Sequence, residues 1–179
     1  MKGLVFTELI DLVDERFSFE TCERLIEMSD LPSGGTYTSV GTYPVQEIVT
    51  LVTNLSAITD TPVPDLLKAF GRHLFKRFAV SFPVFFEGIG SALEFLPRVD
   101  GYVHLEVRKL YPDAELPSFS CATGAAGALV MTYRSNSNLA DLAEGLILGC
   151  VEHFGETVAV TRRPAPPPST DTVFTISPA

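Results

Sequence analysis

Apolar residues in the first part of the chain recur every three or four positions, the period of a helix with one buried face. In PVQEIVTLVTNLSAITD, the residues Val45, Ile48, Val49, Val52 and Leu55 fall on one such face. A second helix begins at Pro64, where a first-turn proline is tolerated, and runs through PDLLKAFGRHLFKRF with Leu67, Phe70, Leu74 and Phe78 as its stripe. Gly71 interrupts that stripe at a cost of about 1 kcal/mol relative to alanine. It therefore marks either a bend or the close approach of a neighbour. Leu31 to Gly41 reads as a loop, and Phe82 to Leu96 as an aromatic-rich helical segment bounded by Pro83 and Pro97.

After Ser118 the period changes to two. SFSCAT and ALVMTYR are short β-rich runs separated by Gly124 to Gly127, which predicts a hairpin. DLAEGLILGCVEHF predicts a helix ended by Gly155, and TVAVTRR with TVFTIS predicts a second hairpin across PAPPPSTD. Helices followed by a ββαββ block specify an α+β protein. The expected architecture is one domain over residues 1–179: a helical N-terminal lobe over about 1–62, and a lobe over about 63–179 with further helices and a small four-stranded antiparallel sheet.

The composition narrows the function. A length of 179 residues with 46% hydrophobic content supports a sizeable core, and a formal charge of -9 disfavours nucleic acid and anionic membrane surfaces as partners. No apolar run approaches the roughly 18 residues of a membrane span, and MKGLVFTELIDLVDERF does not read as a signal peptide. Cys22, Cys121 and Cys150 are an odd number at wide spacing, which fits reduced thiols in a cytoplasmic protein. There is no HExxH, GxSxG, GxxxxGK[ST] or GxGxxG, so zinc-protease, hydrolase, P-loop and dinucleotide chemistry have no starting point. Acid pairs such as Asp14 and Glu15 read as a solvated helix face, and the chain is expected to be no enzyme.

Two features could hold a ligand. In VDGYVHLEVRKLYPDAELPSF, the residues Val103, Val107, Leu110 and Tyr111 share a helical arc with His104 at its rim, and Pro112 stops the helix. An imidazole there is either packed or an axial metal ligand. His73, among Arg72, Lys76 and Arg77, reads as solvated, and His153 as a helix-end residue favoured by the dipole. In TYRSNSN, the residues Tyr133, Ser135 and Ser137 alternate, so an extended strand would put three hydroxyls on one side. They are either a solvated strand end or a grip for the carboxylates of a ligand.

Several long motifs in order resemble the haem-nitric oxide/oxygen-binding (H-NOX, or HNOB) domains, relatives of the haem domain of soluble guanylate cyclase. They are MKGLVFTE, LPSGGTYTSVGTYP, AFGRHLFKRF, VHLEVRKLYPDAELPSF and TYRSNSNLADLAEGL, and together they span essentially the whole chain. The resemblance implies a cytoplasmic bacterial sensor with a b-type haem, iron protoporphyrin IX, between the two lobes. His104 matches the proximal iron ligand, Pro117 a proline pressing on the macrocycle, and Tyr133 and Ser135 the first two positions of a Tyr-x-Ser-x-Arg signature for the propionates. At the third position this chain has Ser137, which removes a charge-assisted contact.

On the distal side the resemblance places Val5, Leu9, Leu74, Phe78 and Leu142. Leu142 stands where oxygen-binding members carry a tyrosine, so nitric oxide and carbon monoxide are the expected ligands and dioxygen is not. The implied mechanism is release of His104 on nitric oxide binding, followed by a lobe shift read by a histidine kinase, a diguanylate cyclase or a phosphodiesterase. The rival reading, motivated by Ser137, is a haem-poor or haem-free regulatory scaffold acting by protein contact.

Overall fold

The computed structural model describes residues 1–178, which form seven α-helices and one four-stranded antiparallel sheet. The order is α1 (Gly3–Arg16), α2 (Phe19–Met28), α3 (Val45–Thr59), α4 (Val63–Ser81), α5 (Ala92–Phe95), α6 (His104–Leu110), β1 (Ser118–Thr123), β2 (Leu129–Arg134), α7 (Ala140–His153), β3 (Val158–Pro164) and β4 (Thr172–Pro178). The strands lie in the order β1-β2-β4-β3, so both expected hairpins form and meet along β2 and β4. The α+β class read from the sequence is the class observed.

Two apolar clusters hold the chain together. The first joins Phe6, Leu9 and Val13 of α1 and Leu25 of α2 to Ile48, Leu51, Val52 and Leu55 of α3, and takes in Phe70 and Leu74 of α4 with Leu142 of α7. The second joins Phe75 of α4 and Phe95 of α5 to Ile147 and Cys150 of α7 and to the inner sheet residues Met131, Tyr133, Phe174 and Ile176. Full burial of one such side chain stabilises by roughly 1.5–3 kcal/mol. α4 and α7 serve both clusters. On α3 the buried stripe is narrower than its periodicity suggests, since Val49 is 45% exposed while Ile48 and Val52 are covered.

Glycines decide how closely α4 and α7 cross. A Cβ on Gly71 would meet Leu142 O at 2.5 Å and Leu146 N at 2.6 Å, and one on Gly145 would meet Lys68 Cα at 2.8 Å and Gly71 Cα at 2.9 Å. Backbone cannot yield as a side chain does, so these are packing glycines. Of the two readings left open for Gly71, close approach is the one observed.

Three local expectations change. The segment 82–96 is not one helix: Pro83–Phe86 make a 3₁₀ turn, Gly88 takes φ 72°, and α5 starts afresh where Ser91 Oγ accepts the Glu94 N–H at 3.1 Å. The run before His104 forms a π turn over Val99–Val103, with the His104 N–H donating to the Val99 carbonyl. His73 is not solvated. Its Nε2 lies 3.2 Å from Glu8 Oε2, which also accepts from Arg77 Nε at 2.9 Å, and this links α1 to α4 around a carboxylate only 6% exposed.

Gly145→Ala tests the crossing. Overpacking costs about 1–3 kcal/mol and exceeds the helix-propensity gain of about 1 kcal/mol. The variant is expected to melt at a lower temperature than wild type in circular dichroism, and an equal or higher Tm would contradict close packing at this point.

Candidate haem site

α6 begins at His104 and ends where Tyr111 precedes Pro112, which cannot donate to the helix. None of its seven residues is fully buried, and Leu105 and Leu110 are 46% and 68% exposed. The apolar arc expected around His104 is thus not a core face. His104 itself turns inward: its side chain is 12% exposed and its ring centroid lies 5.8 Å from that of Phe119. Phe119 in turn lies 5.5 Å from Tyr133, which the register sets opposite it on β2. The structure therefore lines up His104, Phe119 and Tyr133 along one side of the sheet.

Electrostatics favour the neutral imidazole. Burial pushes His104 below its ordinary value, while the Asp100 carboxylate and the Pro117 carbonyl act in the opposite direction. Neutral imidazole is the metal-binding form. His104 Nδ1 is buried and has no hydrogen-bond partner among the described residues, with Asp100 Oδ1 standing 3.5 Å away. No group of three His, Cys, Asp or Glu side chains among the described residues could hold a metal ion. A metal on His104 must take its other ligands from elsewhere, as iron does within a porphyrin.

The hydroxyl triplet is not a strand face. β2 ends at Arg134, Ser135 lies just beyond it, and Asn136 and Ser137 form a turn. Serine at this point favours a turn closed by its own side chain: Ser135 Oγ accepts the Ser137 N–H at 3.2 Å and lies 2.7 Å from Ser137 Oγ. Tyr133 is 5% exposed within the second cluster, and the two serine hydroxyls cap the end of its strand.

Two arginines near the missing signature cation, Arg134 and Arg162, are already paired with carboxylates. Arg134 makes a two-pronged contact to Asp171 at 2.8 and 3.1 Å, which holds that carboxyl below the usual range. Arg162 lies 2.6 Å from Asp141 and 3.2 Å from Glu144 on α7. These pairs had no signal in the sequence, because Asp171 reaches Arg134 only through the β2–β4 register.

The residues expected on the distal side come together. Leu9, Leu74 and Leu142 are buried in the first cluster, and Val5 and Phe78 pack against it. Two tyrosines also border that cluster: Tyr37 donates its hydroxyl to Glu47 at 2.7 Å, and Tyr43 accepts the Thr38 N–H at 2.9 Å. A buried neutral imidazole, hydroxyls at a strand end and an apolar wall fit a haem. The missing cation is the one feature that fits it less well.

The family model described as "Haem-NO-binding" (HNOB) matches residues 2–162. The chain belongs to this family. H-NOX domains are haem-based gas sensors rather than enzymes, and they bind haem and gaseous ligands such as nitric oxide and carbon monoxide. Solved H-NOX structures share the fold along the whole chain. The Fe(II) unliganded H-NOX protein from K. algicida is 37% identical with TM-score 0.91, covering 99% of this chain and 96% of that one. The IWP-051-bound H-NOX from Shewanella woodyi in the Fe(II)CO state is 38% identical with TM-score 0.85, covering 100% and 95%. An H-NOX protein from S. oneidensis in the Fe(II)NO state is 25% identical with TM-score 0.90, covering 99% and 98%. No curated protein matches the chain.

Ser137→Arg should slow haem loss. A charged hydrogen bond contributes roughly 1.5–3 kcal/mol, about tenfold to a hundredfold in retention. Transfer of haem to apomyoglobin measures it, and an unchanged rate would mean that the absent arginine does not limit binding.

Proposed function

We propose that this domain is a nitric oxide sensor built on haem b, that it excludes dioxygen, and that it signals to a separate protein in the bacterial cytoplasm. The observation that carries the reading is the largely buried His104 imidazole, which burial pushes toward its neutral form and which lies against Phe119, itself packed on Tyr133. When bound, haem supplies an iron that takes a diatomic gas. His104 would hold that iron, Pro117 would press on the macrocycle, and Tyr133, Ser135 and Ser137 would receive the propionates, between a helical lobe of residues 1–62 and the sheet-bearing residues 63–179. The unpaired cysteines suit a reducing compartment. Among the described residues no helix is long and apolar enough to cross a membrane.

Ligand choice follows from the apolar wall. Bound dioxygen is polar and needs a hydrogen-bond donor, whereas nitric oxide and carbon monoxide do not. Leu142, Val5, Leu9, Leu74 and Phe78 offer none, while the Tyr37 hydroxyl donates to Glu47 and the ring of His73 pairs with Glu8.

Signal transfer rests on how α6 is held. At its N-terminal side Asp100 accepts the Phe119 N–H of β1 at 3.2 Å. Beyond its C-terminal side Asp113 accepts from Thr42 Oγ1 at 2.7 Å and meets Lys2 Nζ at 3.4 Å, while that ammonium lies 4.7 Å over the Tyr111 ring. With no fully buried residue of its own, α6 moves at little packing cost once His104 is released. Its ends carry that motion to β1 and to the start of α1. The result is a population shift between two lobe arrangements, read by a histidine kinase, a diguanylate cyclase or a phosphodiesterase.

A second reading is a haem-poor scaffold acting by protein contact, favoured by Ser137 and by the engagement of Arg134 and Arg162. Spectra of the reduced protein separate the two. The sensor reading expects a His-ligated haem that binds nitric oxide and carbon monoxide and forms no stable complex in air, with Leu142→Tyr gaining an oxygen complex. A stable oxygen complex in wild type would count against selectivity, and absence of haem after supply would favour the scaffold.

A further inference from the structure

Asp100 is the charged group nearest the reactive imidazole, and neither the family motifs nor the hydrophobic pattern singles it out. Its Oδ1 stands 3.5 Å from His104 Nδ1 and accepts the Phe119 N–H at 3.2 Å. Asp100 and His104 are four residues apart, the spacing that puts two side chains on one helical face, and the π turn over Val99–Val103 leads directly into His104. Asp100 is 36% exposed and the imidazole 12%, so the carboxylate keeps part of its hydration while facing a buried ring nitrogen. The other acceptor beside the ring, the Pro117 carbonyl, is neutral, and a carboxylate accepts about twice as strongly. Arg108 is the cation that acts on the imidazole from α6 itself.

We propose that Asp100 is a positioning residue for His104: it accepts the Nδ1–H, leaves Nε2 as the unprotonated donor, and strengthens the donation of that nitrogen to iron. Carboxylates behind metal-bound histidines orient the ring and raise its basicity. The same Asp100 oxygen holds the backbone of β1, so this carboxylate joins the bond made by His104 to the strand that carries Phe119. The inference rests on the haem-sensor reading and names the residue that sets the strength of its proximal bond.

Asp100→Asn keeps the shape and an oxygen for the Phe119 amide but removes the charge. In the reduced, gas-free holoprotein the iron-histidine stretch in resonance Raman is expected to fall in frequency, and haem to pass to apomyoglobin about tenfold faster. Asp100→Glu, which restores the charge, should lie closer to wild type than Asp100→Asn. An unchanged stretch in Asp100→Asn overturns the proposal, even where the Tm of the haem-free protein drops, since that drop alone reports only the Phe119 contact. Should Asp100→Asn fail to fold, Asp100→Ser is read in the same way, with a lower frequency expected and an unchanged one overturning. A wild-type protein without any iron-histidine stretch overturns the haem-sensor reading and this inference together, which separates the two failures.

Discussion

The crossing of α4 and α7 is the constraint from which the rest of the molecule follows. Gly71 and Gly145 let two backbones approach until a single Cβ on either would collide with main-chain atoms of the other. The two helices then act as one slab, with α1, α2 and α3 on one side and the sheet with α5 on the other. Leu74 and Leu142 are held on the first side by this contact, while Phe75, Ala143 and Ile147 turn to the second. A haem family needs such a slab because an apolar wall selects ligands only if it keeps its shape.

Against that rigid slab, α6 is held differently. Interior packing anchors the other long helices, whereas α6 is anchored by its ends and by one imidazole. Its attachments are polar, partly exposed and few, which places it at the low-stability end of the fold. That contrast suits an element whose position is meant to depend on a single bond made by His104. On the proposed reading, the same contrast keeps the apolar wall around Leu9, Leu74 and Leu142 fixed while α6 is left free to move.

Much of this was legible in the sequence, for reasons that can be stated residue by residue. The stripe Leu67, Phe70, Leu74 and the alternation in ALVMTYR reflect burial on one face, so the periods of 3.6 and 2 revealed α4 and β2 directly. The lone His104 was legible as a candidate from its place on an apolar rim, although that arc is only half-buried, with Leu110 exposed. What periodicity could not reveal was anything set by a turn or by register. Strand alternation was carried past Arg134 to Ser137, but the chain leaves the strand and Ser135 closes a turn on itself. His73 looked solvated beside three cations, and only the packing of α1 on α4 brings Glu8 to it. Asp100 stands four residues before His104, a spacing open to the same helical reading, but it is polar and so left no mark in the apolar pattern.

The central claim is that the imidazole of His104 is the hold of the protein on haem iron. Replacing it by glycine, supplying haem, and then adding free imidazole tests that claim most directly, because the added ligand can restore the bond without restoring the tether to α6. The account predicts that His104→Gly loses the histidine-ligated absorption spectrum and regains it with imidazole. A His104→Gly protein that keeps the wild-type spectrum with no imidazole present would contradict it.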